Sequence, residues 1–144
     1  PGLVIYDARH EQRGSPDAPP DPQDDRDVPK TEEPALEKVM SELNLGGRER
    51  GEILQRLENF FQERFEYSTW LKTAGRETDT NLTALGAFLL KNRSGHCEYF
   101  ATATVLLLRK AGIPARYAAG YSVQEPAGKG KFVVRDRHAH AWAQ

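Results

Sequence analysis

The stretch that decides the fold is SGHCEYFATATVLLLRKAGIP, which runs from Ser94 to Pro114. Its small and apolar residues recur at helical spacing, which predicts a helix with one buried stripe. The predicted stripe consists of Phe100, Ala101, Thr104, Val105, Leu108 and Ala111. Ser94 is suited to cap this helix, and Gly112 followed by Pro114 predicts its end. The only cysteine of the chain, Cys97, then falls in the first turn.

A cysteine in that position has the surroundings of a nucleophile. Amide N–H groups in the first turn of a helix have no partner within the helix, and the helix dipole is positive at that end. Thiols in such surroundings, especially beside an imidazolium, can have pKa values of roughly 3.5–7.5 instead of about 8.5. The backbone N–H of Cys97 is also a natural donor to an oxyanion. A nucleophilic thiol needs a base to accept its proton, and we therefore looked for one elsewhere in the chain.

Composition limits the classes of function. The chain has 144 residues, with 20 Lys and Arg against 21 Asp and Glu, and a formal net charge of -1. This length fits one domain with or without a tail. The balanced charge gives no indication of a nucleic-acid partner, and a single cysteine excludes an internal disulfide.

The sequence divides into three parts. Residues 1–10 contain the apolar run Gly2–Tyr6, typical of a strand that ends a preceding segment or domain. Residues 11–33 interleave proline with aspartate, which predicts an extended, solvated linker. Residues 34–144 are expected to form the folded domain. We expect both ends to be cut from a longer chain, because the sequence starts without Met and stops within a predicted strand.

Helices precede strands in residues 34–144. Before the central helix, helical spacing predicts helices that start at Pro34, run over 48–65 and run over 82–91, with an apolar face on the second at Ile53, Leu54, Leu57, Phe60, Phe61 and Phe65. A short extended piece is expected over Tyr67–Leu71 and a polar loop over Ala74–Thr80. After the central helix, strands are predicted over 115–123, 131–135 and 138–144, with a turn or loop over Glu125–Gly130. This order predicts an α+β domain.

The chain offers four histidines as a base. His10 lies beside the predicted linker. His96 is adjacent to Cys97, and neighbours at a helix start point in different directions. His138 and His140 should share one face of the last strand with Trp142 and Gln144, and that strand can pack against the central helix. Spacing alone does not choose between these two histidines.

Four blocks of sequence, in this order, resemble the bacterial transglutaminase-like superfamily. They are GHCEYFA (95–101), LLRKAGIPAR (107–116), GY (120–121) and AHAW (139–142). The family pattern is G-x-C-E-x-F-A, L-R-x-x-G-I-P-A-R, G-Y and A-H-A-W, and FEY (65–67) resembles the F-x-Y segment ahead of its cysteine block. The resemblance covers roughly residues 34–144. Its subgroup is similar to the cysteine-protease-like extracytoplasmic domains of bacterial membrane proteins.

The resemblance implies a papain- and transglutaminase-like core, in which a nucleophile helix packs on an antiparallel sheet that holds the base. It makes Cys97 the nucleophile and His140 the general base, with Trp142 packed beside the histidine. Pro114 and Arg116 belong to a turn with a structural role.

The third member of the family's triad is an Asp on the strand after the histidine strand. This Asp is expected beyond Gln144, so the domain is expected to be truncated at its C-terminus. The pattern gives no such role to Asp136, and it does not require His138, which we interpret as a bystander. Loss of the orienting acid lowers the rate of comparable triads on the order of 10⁴-fold.

The implied activity is thiol-dependent acyl transfer on amide substrates through a thioester. Water as the second nucleophile gives hydrolysis of a peptide or amide, and an amine gives cross-linking. The resemblance implies a peptide or protein substrate, no cofactor, no nucleic acid, a membrane-anchored parent protein and a periplasmic location.

Two other hypotheses stay open. His96, Cys97, His138 and His140 together offer zinc ligands, although no C-x-x-C or similar pairing accompanies them. The other hypothesis is a non-catalytic scaffold for binding or assembly. It predicts that Cys97 is buried and unreactive. No motif indicates a nucleotide, flavin or calcium site.

Overall fold

The computed structural model describes residues 18–70 and 82–144. Its helices are α1 (Glu33–Glu42), α2 (Arg50–Arg64), α3 (Ala84–Ala87) and α4 (Cys97–Lys110), and α3 continues into a π-helical turn over Phe88–Asn92. Its strands are β1 (Glu66–Tyr67), β2 (Ser94–Gly95), β3 (Tyr117–Tyr121), β4 (Glu125–Gly128), β5 (Lys131–Val133) and β6 (Ala139–Ala143). Short 3-10 segments cover Asp24–Arg26 and Asp136–His138. The strand predicted over Gly2–Tyr6 and the loop predicted over Ala74–Thr80 lie outside the described residues.

The strands pair in twos. β1 and β2 are parallel, whereas β3 pairs with β6, and β4 with β5, in antiparallel register. Helices therefore come first and antiparallel strands last, which confirms the α+β class. The β3–β6 pair packs against α4, so the predicted nucleophile helix does lie on an antiparallel sheet. Within the described residues, no helix combines the length and apolar character needed to cross a membrane.

α4 is the central element, because it contacts α1, α2, α3 and the β3–β6 pair on different sides. Its buried residues are Ala101, Ala103, Val105, Leu106, Leu107 and Leu108. The predicted stripe was thus right for three positions, while Phe100, Thr104 and Ala111 are only half-buried. A single stripe describes a helix with one covered face, and a helix covered on several sides is apolar around most of its circumference.

Two details of the helices correct the sequence predictions. Ser94 is not the cap of α4: it lies in β2 opposite Glu66, and His96 in extended conformation is the N-cap. Parallel pairing with β1 keeps the backbone extended until His96, so the helix begins later than Ser94 would allow. On α2, Leu54 is 43% exposed, because the buried face runs through Ile53, Leu57 and Phe60.

Two details of the strands also differ. Residues 125–128, predicted as a turn or loop, form β4, and the hairpin turns at Lys129–Gly130. Pro126 is tolerated because both strands of an isolated pair are edges. His138 precedes β6 in a 3-10 segment instead of belonging to the last strand, so its side chain does not continue the face of His140 and Trp142.

The described part of the Pro/Asp-rich segment contacts the domain. Asp21 accepts the N–H groups of Gln23 and Asp24, which forms a local turn. Asp25 then pairs with Arg109 and Arg116, and its carbonyl accepts the N–H of Ala115 at 3.0 Å. The prediction of a solvated linker is therefore wrong at Asp25. The division of the chain at residues 33 and 34 stays a prediction.

Candidate active site

Cys97 is the first residue of α4 and its side chain is half-buried. The chain reaches it through the extended residues Ser94–Gly95 and the N-cap His96. Gly95 has no room for a side chain, since a Cβ there would lie 3.1 Å from the ring of Phe88 and 3.2 Å from the Cβ of Tyr99. The close packing of Gly95 against Phe88 and Tyr99 thus fixes the backbone just before Cys97 and, with it, the position of the thiol.

Tyr67 is held beside Cys97 by backbone pairing. Its register partner in β2 is Gly95, and the N–H of Ser68 donates to the Gly95 carbonyl at 2.8 Å. Its ring stacks on Phe100 of α4, with centroids 6.1 Å apart and planes at 22°. The residue is 59% exposed overall, yet its hydroxyl interacts with both the side chain and the backbone of Cys97. Burial of that hydroxyl, and next the hydrogen bond to Cys97, raise the pKa of Tyr67 above 10.0.

His140 lies on β6 opposite Gly120 of β3. Its ring stacks with that of Trp142, with centroids 6.4 Å apart and planes at 22°. A Cβ on Gly120 would lie 3.1 Å from Cη2 of Trp142, so the glycine provides the space in which the indole rests beside the imidazole. The strand pair therefore positions the histidine and the tryptophan together.

Cys97 and His140 line one cleft of about 290 Å³. The remaining lining residues are Tyr67, Phe100, Ala101, Thr104, Ala141, Trp142 and Ala143. Small side chains on both α4 and β6 allow these two elements to approach closely around the cleft. Within the cleft, the thiol interacts with the Tyr67 hydroxyl, and the imidazole lies parallel to the indole of Trp142.

The charge of Cys97 also acts on Tyr117. It starts β3 and is 43% exposed. Burial raises its pKa above 10.0, and the negative charges of Glu98 and Cys97 raise it further. Sequence reasoning gave no role to Tyr117. For Tyr67, the only indication in the sequence was the F-x-Y segment. Its contact with Cys97 depends on the register of β1 and β2, which a local pattern does not predict.

The other histidines have different partners. The ring of His96 lies edge-on to Tyr99 at 5.2 Å and 3.8 Å from a carboxylate oxygen of Glu98. His138 is largely buried, and its Nδ1 accepts the backbone N–H of Arg135 at 3.2 Å. Among the described residues, no three His, Cys, Asp or Glu side chains form a group that could hold a metal ion. The four residues of the zinc hypothesis are all described and do not come together in this way.

The comparison with known families agrees with this geometry. The sequence model of the Transglutaminase-like superfamily matches residues 37–144. Within the matched residues, the helix that begins at Cys97 packs against an antiparallel strand pair, and Cys97 and His140 line one cleft. The chain belongs to the transglutaminase-like superfamily.

Particular relatives are bacterial. The chain is 38% identical over 90 residues to a protein-glutamine gamma-glutamyltransferase of Pseudomonas aeruginosa, a match that covers 61% of this chain and 12% of that protein. It is 39% identical over 62 residues to the uncharacterized protein YebA of Bacillus subtilis, which covers 40% of this chain and 8% of that protein. The chain thus spans only a small part of the curated relatives it matches.

The fold also matches solved structures. Two crystal structures of the periplasmic domain of TgpA from Pseudomonas aeruginosa, one of them bound to ethylmercury, superpose with a TM-score of 0.66 and 27% sequence identity. Each match covers 85% of this chain, and 42% and 41% of the respective solved chains. These matches confirm the transglutaminase-like core that the sequence blocks implied.

Proposed function

We propose that this chain transfers acyl groups from amide substrates through the thiol of Cys97, with His140 as the general acid and base. The observation that carries the proposal is that Cys97, at the start of α4, and His140, on β6, line the same cleft. Membership of the superfamily supports it, and so does a relative that is a protein-glutamine gamma-glutamyltransferase.

The reaction has two halves. In the first, the Cys97 sulfur attacks the amide carbonyl carbon and forms a C–S bond, the C–N bond breaks, and His140 gives its proton to the departing amine. In the second, water or an amine attacks the thioester carbon while His140 takes its proton. The C–S bond then breaks and the thiolate of Cys97 leaves. Water yields hydrolysis, and an amine yields a new amide.

We propose that Tyr67 acts in both half-reactions as a donor to the oxyanion. The tetrahedral intermediates carry negative charge on the former carbonyl oxygen, and a donor aimed at that oxygen is worth about 3–4 kcal/mol of transition-state stabilisation. The backbone N–H of Cys97 is one proposed donor: it has no partner within α4, and a substrate oxygen would replace its present contact with the Tyr67 hydroxyl. The Tyr67 hydroxyl lies at the same residue and is held there by β-pairing and by Phe100. We assign it as the second donor.

Trp142 supports the base in this proposal. Its indole lies nearly parallel to the His140 ring, with centroids 6.4 Å apart, and we propose that it limits rotation of the imidazole on that side. Among the described residues that line the cleft, none has a carboxylate. The acid that orients His140 is therefore proposed to be an Asp beyond Gln144, as the family pattern implies. Without this acid, we expect acylation of Cys97 by a substrate to be easier to detect than complete turnover.

The substrate class follows from the relatives. We propose that the acyl donor is a carboxamide of a peptide or protein, such as a glutamine side chain, and that the domain works outside the cytoplasm in a membrane-anchored parent. The Pseudomonas aeruginosa transferase and the periplasmic domain of TgpA support this proposal. We favour hydrolysis slightly over transfer to an amine, because the cleft is open to water.

The scaffold hypothesis is less well supported. It requires a cysteine that is buried and unreactive, whereas Cys97 is half-exposed in a cleft that also contains a histidine.

The proposal is tested by trapping the acyl-enzyme. The chain would be incubated with an activated ester, p-nitrophenyl acetate, and the adduct located by mass spectrometry of peptides. We expect one acyl group on Cys97, released by hydroxylamine and absent in Cys97→Ala. We expect His140→Gln to slow acylation by about 10²-fold or more, the usual contribution of a general base.

The matched control is His138→Gln, which removes the neighbouring imidazole. It should leave acylation within a factor of two or so of the unmodified chain, a difference well below the loss of a general base. Acylation that survives Cys97→Ala, or that is equally slow in both histidine variants, would contradict the proposal.

A further inference from the structure

A second cleft adjoins the first and has a different character. Its volume is about 190 Å³, and it shares Tyr67 and His140 with the cleft of the thiol. Its other lining residues are Ser122, Gln124, Arg137, His138 and Ala139. Cys97 does not line it. His140 therefore lies at the junction between a mainly apolar cleft that contains the thiol and a polar cleft that does not.

The polar cleft is lined by hydrogen-bond donors. Because Nδ1 of His138 accepts the backbone N–H of Arg135, the neutral ring carries its proton on Nε2, which lies 3.9 Å from Oε2 of Glu125. Gln124 donates to Oγ of Ser122 at 2.6 Å, which leaves the Ser122 hydroxyl proton free for another acceptor. Groups of this kind favour a ligand that offers oxygen acceptors.

Two guanidinium groups, those of Arg135 and Arg137, lie at the edge of the cleft, while Asp136 between them in sequence carries a negative charge. The carboxylate of Glu125 accepts two hydrogen bonds from Arg135, at 2.6 and 2.8 Å, and one from Arg137 at 3.2 Å. One carboxylate thus faces two guanidinium groups. The hydrogen bonds from Arg135, with the charges of both arginines, lower the pKa of Glu125 to about 2. Arg137 is the looser partner, with 70% of its side chain exposed, so it can reach a second anion.

We infer that the polar cleft binds the substituent of the amine that leaves or enters at His140, and that this substituent carries a carboxylate. The inference rests on the proposed function and adds the class of amine. His140 exchanges a proton with the nitrogen, so the rest of the amine points away from the sulfur, into the cleft that touches His140 and not Cys97.

The same subsite can hold the substituent of an amine that enters and of one that leaves. An entering amine forms its C–N bond to the thioester carbon, gives its proton to His140 and displaces the Cys97 thiolate. The leaving amine of a substituted amide follows the same path in reverse. A glutamine carboxamide releases ammonia, which has no substituent, so with that donor the subsite serves the entering amine alone. The carboxylate then pairs with Arg137 and accepts the hydroxyl proton of Ser122.

Binding can be measured without turnover. The full chain would be titrated with 4-aminobutyrate and, in parallel, with 4-aminobutyramide, which differs only in lacking the carboxylate. The assigned NMR signals of the His138 and His140 rings report occupancy. We expect the acid to bind about three- to fivefold more tightly than the amide, as for one charge pair at a partly exposed site.

Variants of Arg137 test whether its guanidinium is the group that binds the ligand carboxylate. Arg137→Gln should abolish the preference for the acid, and Arg137→Lys should retain part of it. Lys131→Gln is the control, because it removes a positive charge that is also exposed but lies on β5 and does not line the cleft. Equal binding of acid and amide by the unmodified chain, or equal loss in the Arg137 and Lys131 variants, would overturn the inference.

Failure of the proposed function looks different. If Cys97 is not acylated by an activated ester but the preference for 4-aminobutyrate depends on Arg137, the acyl-transfer proposal falls while the anion-binding cleft stands. If Cys97 is acylated and neither compound shifts the histidine signals, the subsite falls and acyl transfer stands.

Discussion

The substitution Asp25→Asn tests how firmly the acidic segment before α1 belongs to the folded domain. The Asp25 side chain is only 14% exposed. It lies 3.0 Å from Nε of Arg116 and 3.4 Å from Nη2 of Arg109, and it accepts the N–H of Asp21 at 2.6 Å. The carboxylate therefore connects a segment near residue 25 to the end of α4 and the start of β3, the strand that pairs with the histidine strand.

The structure limits the size of the effect. Breaking a well-buried ion pair costs about 3–5 kcal/mol. Here Arg116 is 34% exposed, and Arg109 keeps the carbonyls of Ala115 and Asp27 as acceptors. We therefore expect Asp25→Asn to lower the free energy of unfolding by about 2 kcal/mol, the scale of a hydrogen bond to a charged group. The midpoint of thermal unfolding should fall by roughly 4–8 °C for a domain of this size.

Urea unfolding followed by circular dichroism measures this change. Asp27→Asn is the control, because it removes the same charge two residues along from an exposed side chain. A difference of less than about 0.5 kcal/mol between the two variants, which is typical of surface substitutions, would refute the claim that Asp25 anchors the segment.

Three further predictions concern the site and the core. Cys97→Ala should lower the pKa of Tyr67 toward 10.0, measured by tyrosine absorbance, because it removes the hydrogen bond that adds to burial. Since the folded pKa is raised, the stability that Tyr67 contributes is complete below pH 10.0 and is lost as the pH rises through the folded pKa. Gly120→Ala should cost only about 1 kcal/mol in urea unfolding, because the half-exposed indole of Trp142 can shift, but it should slow acylation of the thiol by up to roughly tenfold. Leu107→Ala, at a fully buried position of α4, should cost about 2–5 kcal/mol in the same unfolding assay.

The sequence predicted those parts of the fold that depend on neighbours along the chain. Helical spacing and the Gly112 stop identified α4, and alternation identified the strand that carries His140. Both signals come from residues a few positions apart. The boundary at Ser94 was wrong because it depends on pairing with Glu66, which lies far away in sequence.

Long-range contacts explain the other differences. Asp25 looked like part of a solvated linker, because its partners, Arg109 and Arg116, lie more than 80 residues away and composition does not report them. Similarly, the contact of Tyr67 with the thiol follows from strand register and not from a local pattern.

The candidate site was predicted through family resemblance more than through residue types. Spacing left His138 and His140 as equal candidates, and the A-H-A-W block favoured His140. The structure places His140 with Cys97 on one cleft and gives His138 a place in the neighbouring cleft. The catalytic roles of Cys97, His140 and Trp142 stay predictions.

The most direct test of the central claim is the rate at which iodoacetamide alkylates Cys97 as a function of pH, in the unmodified chain, in His140→Ala and in His138→Ala. If Cys97 and His140 form a nucleophile–base pair, alkylation below pH 7 is rapid, and His140→Ala slows it by at least about tenfold or moves the profile to higher pH. The His138→Ala profile should match that of the unmodified chain. A sluggish thiol whose profile is the same with and without His140 would contradict the account.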